Sequence, residues 1–437
     1  MQQNDWTRRV TRRGLLRSVS GAAGVLGLAP LIAACGSNSA KTSHAPAGAA
    51  APVSGATVAA TTTAIARAAS EPGVTADTIT LGTTYGLTGP GSAYAPIIQT
   101  VQAYLQRVND GGGVNGRKVK LLIEDDAYSA ANTPPLTKKL VEQDGVLAIV
   151  SPLGTAPQAA VQDYLNEQRV PQLFINSGAS RWNNPTKYPW TVGFPPAYPD
   201  EARVFGKYIS QTWPGKKVGV LYQNDDFGKD YLVYKETLSK DNPIVDEESY
   251  ETTAADLNAQ ITNLKAKGAE VFFLVATTKP GGLALKAAAE QGWKPLIAMT
   301  SNSADPAIFN LAGGQQNAEG IVSSAWYKQY DSGDQGIQPV KDLLAKYAPQ
   351  IQLSNWPVYG YAVATLLEET LRRAGTNPTR ASLLTAAESI DHFPLPGLVS
   401  GLTASIAKSN HAPLRGLQLT RVTGGKFVPF GDVISVT

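Results

Sequence analysis

From about residue 73 onward, short apolar runs alternate with segments whose apolar positions recur every three or four residues. The first pattern predicts buried strands and the second amphipathic helices. Strands are predicted at Thr78–Thr83, Lys118–Glu124, Val146–Val150 and Val170–Ile175, with helices at Tyr94–Asn109, Ala130–Gln143 and Ala156–Asn166 between them. Pro189–Phe194 is extended, and Pro195-Pro196 keeps the backbone extended after it. A second series follows, with helices Asp200–Thr212, Asp230–Ser239, Asp256–Ala266 and Gly282–Gln291. They alternate with strands Lys217–Tyr222, Ile244–Tyr250, Val271–Ala276 and Leu296–Met299, and a short helix around Pro306–Leu311 closes the series. Gly320–Ala325 reads as a strand returning the chain to the first half. Pro339–Tyr347 and Tyr359–Arg373 read as helices, and Leu417–Val422 with Lys426–Phe430 as a terminal hairpin. This alternation predicts an α/β fold with parallel sheets and right-handed crossovers. The folded part, roughly 365 residues, is too long for one ordinary core and suits two lobes.

Two strand ends carry the candidate chemistry. Ser151–Thr155 and Asn176–Ser180 are small, polar, glycine-containing turns. Both lie at the carboxyl edge of the sheet, where open α/β folds bind ligands. Backbone N–H groups at the following helix starts favour anions, and hydroxyls add donors. The expectation is a pocket that grips a carboxylate or similar acceptor. Gly86–Gly91 follows a strand and reads as a further cleft loop, with Tyr94 lining it; Trp182 and Trp356 are candidates to stack on a ligand.

Residues 1–34 change the picture of the charge. Arg8, Arg9, Arg12, Arg13 and Arg17 precede the apolar run Val25–Ala34, and Thr11–Arg17 resembles a twin-arginine export signal. Ile32-Ala33-Ala34-Cys35 resembles a bacterial lipobox, which implies cleavage before Cys35 and its lipidation. Cys35 is the only cysteine, so no disulfide within the chain and no thiol chemistry is expected. The formal charge is +3; residues 1–34 hold five arginines and one aspartate, so without them it falls to −1. No basic character remains to suggest nucleic acid. Residues 36–70 are Ala, Ser, Thr, Pro and Gly almost throughout and read as a tether spanning about 30–35 Å as a flexible coil.

Other motifs read as ordinary structure. Gly111–Lys118 lacks the Lys-Ser/Thr of a phosphate loop and connects a helix to a strand, so it reads as a helix cap and turn. Asp125-Asp126 and Asp225-Asp226 have no His or Cys beside them and read as strand-end turns and caps. His392 and His411 have no evident nucleophile or acid partner. No triad, metal centre or cofactor site is expected, and the chain does not read as an enzyme.

The order and spacing of several pieces resemble one family. Asn109–Arg117, Glu124-Asp125-Asp126, Lys139–Asp144, Val170-Pro171, Asn224–Gly228, Tyr359–Ala362 and Gly425-Lys426-Phe427 fit the type I periplasmic solute-binding proteins of the leucine/isoleucine/valine-binding class. The resemblance covers nearly all of residues 76–430. It implies two Rossmann-like α/β lobes with parallel sheets, joined by a three-segment hinge and closing on a ligand. The crossings are expected near Val192–Pro196, Val322–Tyr327 and Pro396–Gly401. Lobe 1 then comprises 73–195 plus 325–398, and lobe 2 comprises 196–324 plus 399–437, after the signal (1–34) and the lipidated tether (35–72). Carried over by position, Gly154, Thr155, Gly178, Ala179 and Ser180 hold a ligand carboxylate and Phe227 covers the ligand, beside Asp226. Thr278 stands where the family often has an aromatic, and Ser301 where it often has an acid for the ligand's ammonium. The carboxylate grip is kept and the amine grip lost. The implied function is a monomeric, lipid-anchored, extracytoplasmic receptor for an amino acid or related carboxylate or amide. Its partners are the permease and ATPase subunits of an ABC importer, and no cofactor is implied. A ligand sensor feeding a signalling partner is the alternative.

Overall fold

The structure, a computed structural model, describes residues 71–436. The export signal, Cys35 and all but the last residues of the tether lie outside the described residues. Everything below belongs to one of the chain's two units, Ala64–Thr437.

The strand–helix alternation resolves into two sheets. The first holds β1 (Thr78–Tyr85), β2 (Lys118–Asp125), β3 (Ile149–Val150), β4 (Gln172–Ile175) and β5 (Thr191–Gly193), in the order β2-β1-β3-β4-β5, all parallel. The second holds β6 (Val218–Gln223), β7 (Ile244–Tyr250), β8 (Val271–Val275), β9 (Leu296–Met299), β10 (Val322–Ala325), β11 (Gly416–Thr423) and β12 (Lys426–Ser435). Its order is β12-β11-β10-β9-β8-β6-β7. The run from β7 to β10 is parallel and repeats the strand order of the first sheet, and the antiparallel hairpin β11–β12 extends it. In this order the chain reverses direction across the sheet between β1 and β3, and again between β6 and β8. A ligand is expected outside the carboxyl ends there.

Helices cover both sheets: α1 (Ala95–Asp110), α2 (Thr133–Lys138), α3 (Thr155–Glu167), α4 (Tyr198–Thr212), α5 (Asp226–Asp230), α6 (Asn258–Ala266), α7 (Thr278–Glu290), α8 (Ala307–Leu311), α9 (Gln338–Tyr347), α10 (Asn355–Arg373) and α11 (Arg380–Glu388). α1 turns Ile97, Ile98, Val101, Leu105 and Val108 inward at helical spacing and stops at Gly111–Gly113, where Gly112 and Gly113 have positive φ. α10 packs against it. A Cβ on Gly360 would lie 2.4 Å from the Ile97 carbonyl oxygen, so only glycine lets the two backbones approach this closely.

Three expectations change. Val322–Ala325 does not return to the first sheet: it is buried between β9 and β11 and hydrogen-bonded into the second. The helix expected from Asp230 starts at Asp226, because the Asp225 carboxylate accepts from Gly228 N, and it tightens into a 3₁₀ turn at Tyr231–Glu236. α11 was unforeseen, although Thr379 and Ser382 form its capping box.

Between the sheets the chain is held by aromatic packing and a few backbone pairs. The Phe194 ring lies 5.4 Å from both Trp326 and Tyr359. Val399 N donates to Trp326 O at 3.0 Å, and Gly193 N to His411 O at 3.1 Å. Ala404, Ile406 and Leu414 join the core beneath the first sheet. His411 is buried, with Nδ1 2.7 Å from Thr191 O.

Candidate functional site

The loops that follow six strands converge on one cavity. Tyr128 follows β2, Gly154 follows β3, and Asn176 and Ser177 follow β4; from the other sheet, Phe227 follows β6, Thr277 follows β8, and Ser301 and Asn302 follow β9. About 40 Å³ is open to the centre of a water molecule. α3 begins at one wall beside Gly154, and α7 begins at the other beside Thr277, so two helix N-termini approach from opposite sides.

The first wall is aromatic. Tyr94, Tyr128, Trp356 and Tyr359 line it, and the Tyr94 and Trp356 rings are 5.1 Å apart. Tyr128 and the preceding Ala127 both have left-handed backbone, with φ 58° and 52°. Such pairs are uncommon outside glycine and persist where the surroundings fix them. Here the Asp126 carboxylate accepts from Tyr128 N at 2.9 Å and from Thr133 Oγ1 at 2.9 Å. Burial pushes the Asp126 carboxyl up to about 6, against those bonds and with the neighbouring Asp125 charge. Gly154 is glycine of necessity: its φ is +98°, and a Cβ would sit 2.7 Å from the Tyr128 ring.

The second wall is more polar and is fastened from behind by Glu201. Its carboxylate accepts from Ser301 N (2.7 Å), Ser301 Oγ (3.0 Å), Ser324 Oγ (2.6 Å) and the Tyr231 hydroxyl. Burial raises the Glu201 pKa and these donors oppose the rise; no cation pairs with it among the described residues. Tyr198 faces the same loop, donating to Asn302 Oδ1 at 3.1 Å and packing its ring 5.1 Å from Phe227.

The walls are joined. Tyr94 OH donates to Asn302 O at 2.6 Å and accepts from Thr278 N at 3.1 Å. Burial pushes its phenol up to about 12, so it stays a donor throughout the neutral range. Deeper in, Trp356 N donates to Asp305 Oδ2 at 3.2 Å, and Asn355 Nδ2 to Ala304 O at 2.8 Å. At the rim, Ser180 N and Oγ donate to Asp230 at 2.7 and 3.0 Å, and Arg181 pairs with Asp226 at 2.9 Å.

Of the residues picked from sequence, Tyr94, Gly154, Phe227, Ser301 and Trp356 line the cavity. The others stand elsewhere. Thr155 Oγ1 shares a 2.7 Å hydrogen bond with Ser177 Oγ, which also accepts from Trp182 Nε1 at 3.0 Å, so both Thr155 and Trp182 are spent inside the first lobe. Gly178 accepts from Tyr198 N at 2.7 Å, and a Cβ there would meet Pro196 O at 2.3 Å. Ala179 is buried beside it. Ser180 and Asp226 are rim residues, and Thr278 reaches the cavity only through Tyr94 and Asn302 O.

Sequence reasoning passed over Glu201, Tyr128, Tyr198 and Tyr359. Glu201 gave a signal, since it shares the i, i+4 stripe of α4 with Phe205 and Ile209, where an acid is out of place unless partnered. Among the described residues, no cluster of His, Cys, Asp and Glu has the makings of a metal site, and no helix is long and apolar enough to cross a membrane.

Known proteins share this arrangement. A periplasmic binding protein family model matches residues 78–426. A Leu/Ile/Val-binding protein homologue of Brucella melitensis is 25% identical over 336 residues, 75% of this chain and 87% of that one. A branched-chain amino acid ABC transporter protein of Thermus thermophilus with bound valine superposes with a TM-score of 0.75 at 22% identity, over 82% of this chain and 97% of that one. A solute-binding protein of Rhodopseudomonas palustris in complex with 3,4-dihydroxybenzoic acid gives 0.70 at 21% identity, over 82% and 98%. These relatives are binding proteins rather than enzymes. With two parallel sheets of one strand order and a cavity at their facing carboxyl ends, the chain belongs to the periplasmic binding protein family, in its type I fold.

Proposed function

We propose that the protein is an exported, lipid-anchored receptor that encloses a small organic solute between its lobes and hands it to an ABC importer. The observation that carries this reading is the cavity itself: both sheets contribute strand-end loops to it, and Tyr94 bonds one wall to the other. A solute that fills the space between the walls favours the closed form by its differential affinity for that form. Tyr94, Gly154, Phe227 and Ser301 touch the solute in this reading. Thr155, Gly178, Ala179, Trp182 and Thr278 hold the loops behind them, and Ser180 and Asp226 fasten the rim. The hinge segments are Gly193–Ala197, Ala325–Lys328 and Ala412–Gly416. In this reading the third lies later than Pro396–Gly401, a choice supported by the packing of Ala404, Ile406 and Leu414 in the first core. Cys35 supplies the lipid anchor and Thr11–Arg17 the twin-arginine address.

The test is thermal melting of the full chain against a panel of amino acids, their des-amino acids, amides, aromatic acids and polyols. A ligand that binds only the folded form raises the melting temperature by mass action, by about 2.7 kcal/mol of stability at a hundredfold excess over Kd. The expected result is a rise with one chemical class, diminished in Tyr94→Phe. A panel-wide absence of any rise would count against solute capture. For the anchor, Cys35→Ser should move the protein from the membrane fraction to the soluble one.

A further inference from the structure

The composition of the cavity narrows the ligand. We propose that it is a small aromatic compound carrying an oxygen acceptor, as a carboxylate or carbonyl, and no ammonium group; the inference rests on the solute-binding reading above. The walls are rings on nearly every side: Tyr94, Tyr128 and Trp356 from the first lobe, Tyr198 and Phe227 from the second, and Trp326 between them. Flat apolar faces of this kind pack offset or edge-on against a flat ring and gain most from one.

None of the lining residues is charged. The three buried carboxylates nearby, Asp126, Glu201 and Asp305, are already engaged: Asp126 accepts from Tyr128 N and Thr133 Oγ1. Glu201 has its four donors, and Asp305 accepts from Ala307 N at 2.9 Å and from Trp356 N at 3.2 Å. An ammonium entering this cavity would lose its water and find no anion, which is strongly unfavourable.

Two donors, by contrast, have no partner among the described residues. Trp356 Nε1 and Tyr359 OH are both buried, and both belong to residues that line the cavity. Buried donors are rarely left so, and an acceptor supplied from outside is the economical remedy. They sit one turn apart on α10, so both residues belong to the helix face that lines the cavity. The helix starts at Gly154 and Thr277 add positive potential without adding a charge.

The experiment is calorimetric titration of the full chain with benzoate, 4-hydroxybenzoate and benzamide in one arm and with leucine, valine and phenylalanine in the other. It is repeated in Tyr359→Phe, which keeps the ring, and in Trp356→Phe. The expected result is binding in the aromatic arm, with phenylalanine at least tenfold weaker than benzoate, and a fall of about 13- to 160-fold in each variant, the range of one hydrogen bond to a charged acceptor. Binding of leucine or valine with no binding in the aromatic arm overturns the inference and leaves the receptor reading intact. Aromatic binding unchanged in both folded variants overturns the assignment of the acceptor to these donors. No binding in either arm overturns the inference, and the melting panel then decides separately whether any solute is taken.

Discussion

The two walls of the cleft are built on one strand order and differ in how they are held. Each is braced from behind by a buried carboxylate. On the first, Asp126 holds Tyr128 in a left-handed backbone, and the surface offered to the cavity is aromatic. On the second, Glu201 gathers Ser301, Ser324 and Tyr231, and the surface offered adds hydroxyl, amide and backbone groups to the Tyr198 and Phe227 rings. The difference lies in what each carboxylate faces. Asp126 caps a turn of its own chain within seven residues, whereas Glu201 reaches loops 100 residues or more away. The first wall is therefore shaped locally and the second by tertiary packing, and the second is the wall that a mutation can undo from a distance.

Removing Glu201 should break the comparison most sharply. Glu201→Ala leaves several buried donors without an acceptor, and the expected loss is about 3–5 kcal/mol of stability. That loss should be visible as a lowered denaturant midpoint, while Glu201→Gln, which keeps one acceptor oxygen and the volume, should lose less. Equal losses in the two variants would remove the carboxylate from its bracing role.

Tyr94→Phe comes next, because this one hydroxyl joins the walls. It keeps the ring against Trp356 and deletes two hydrogen bonds, so ligand affinity should fall by about 1–3 kcal/mol, with stability of the unliganded protein changed less. An unaltered affinity would mean that the walls close without it.

A pH series sharpens the contrast from the first wall. The Asp126 carboxyl is raised from its ordinary value of 3.8 to about 6 in the folded protein. The folded form then binds the proton more tightly than the unfolded form, so this contribution is full below about pH 4 and is lost as the pH rises through about 6. The stability of Asp126→Asn relative to the natural protein should accordingly improve between pH 4 and 6.5. A difference that is flat across this window would contradict the assignment.

The smallest effects belong to the rim. Arg181 and Asp226 are exposed partners, and such pairs are worth about 0–1 kcal/mol. Asp226→Ala should therefore raise the ligand dissociation rate only a fewfold, and less at high salt. Ser180→Ala loses one hydroxyl bond to Asp230 and keeps the backbone one, so its effect should be equally modest. A loss of a hundredfold in Ser180→Ala would return Ser180 to the ligand itself.

Much of the fold was legible because period and punctuation carry it: the apolar runs, the Gly and Pro breaks and the polar strand ends gave both sheets and the edge at which the cavity lies. Tyr94, Gly154, Phe227 and Ser301 line the cavity where expected because position at a strand end or in a cleft loop suffices to place them there. The hydroxyls of Thr155 and Ser180, expected to face a ligand, meet other side chains, because sequence gives a side chain's chemistry but not its direction. One turns to Ser177 and the other to Asp230. Tyr359 and Tyr198 were passed over because a helix reveals which face is apolar, not which neighbour that face meets. α10 presents Trp356 and Tyr359 to the cavity, and at Gly360 it lies close on α1.

The most direct measurement is the crystal structure of the protein with a bound solute from the melting panel. The account predicts its density in the cavity between Gly154 and Ser301, under the Tyr94 hydroxyl, with an oxygen within hydrogen-bond distance of Trp356 Nε1. Density for the solute anywhere else on the molecule, with this cavity still closed on itself, would contradict it.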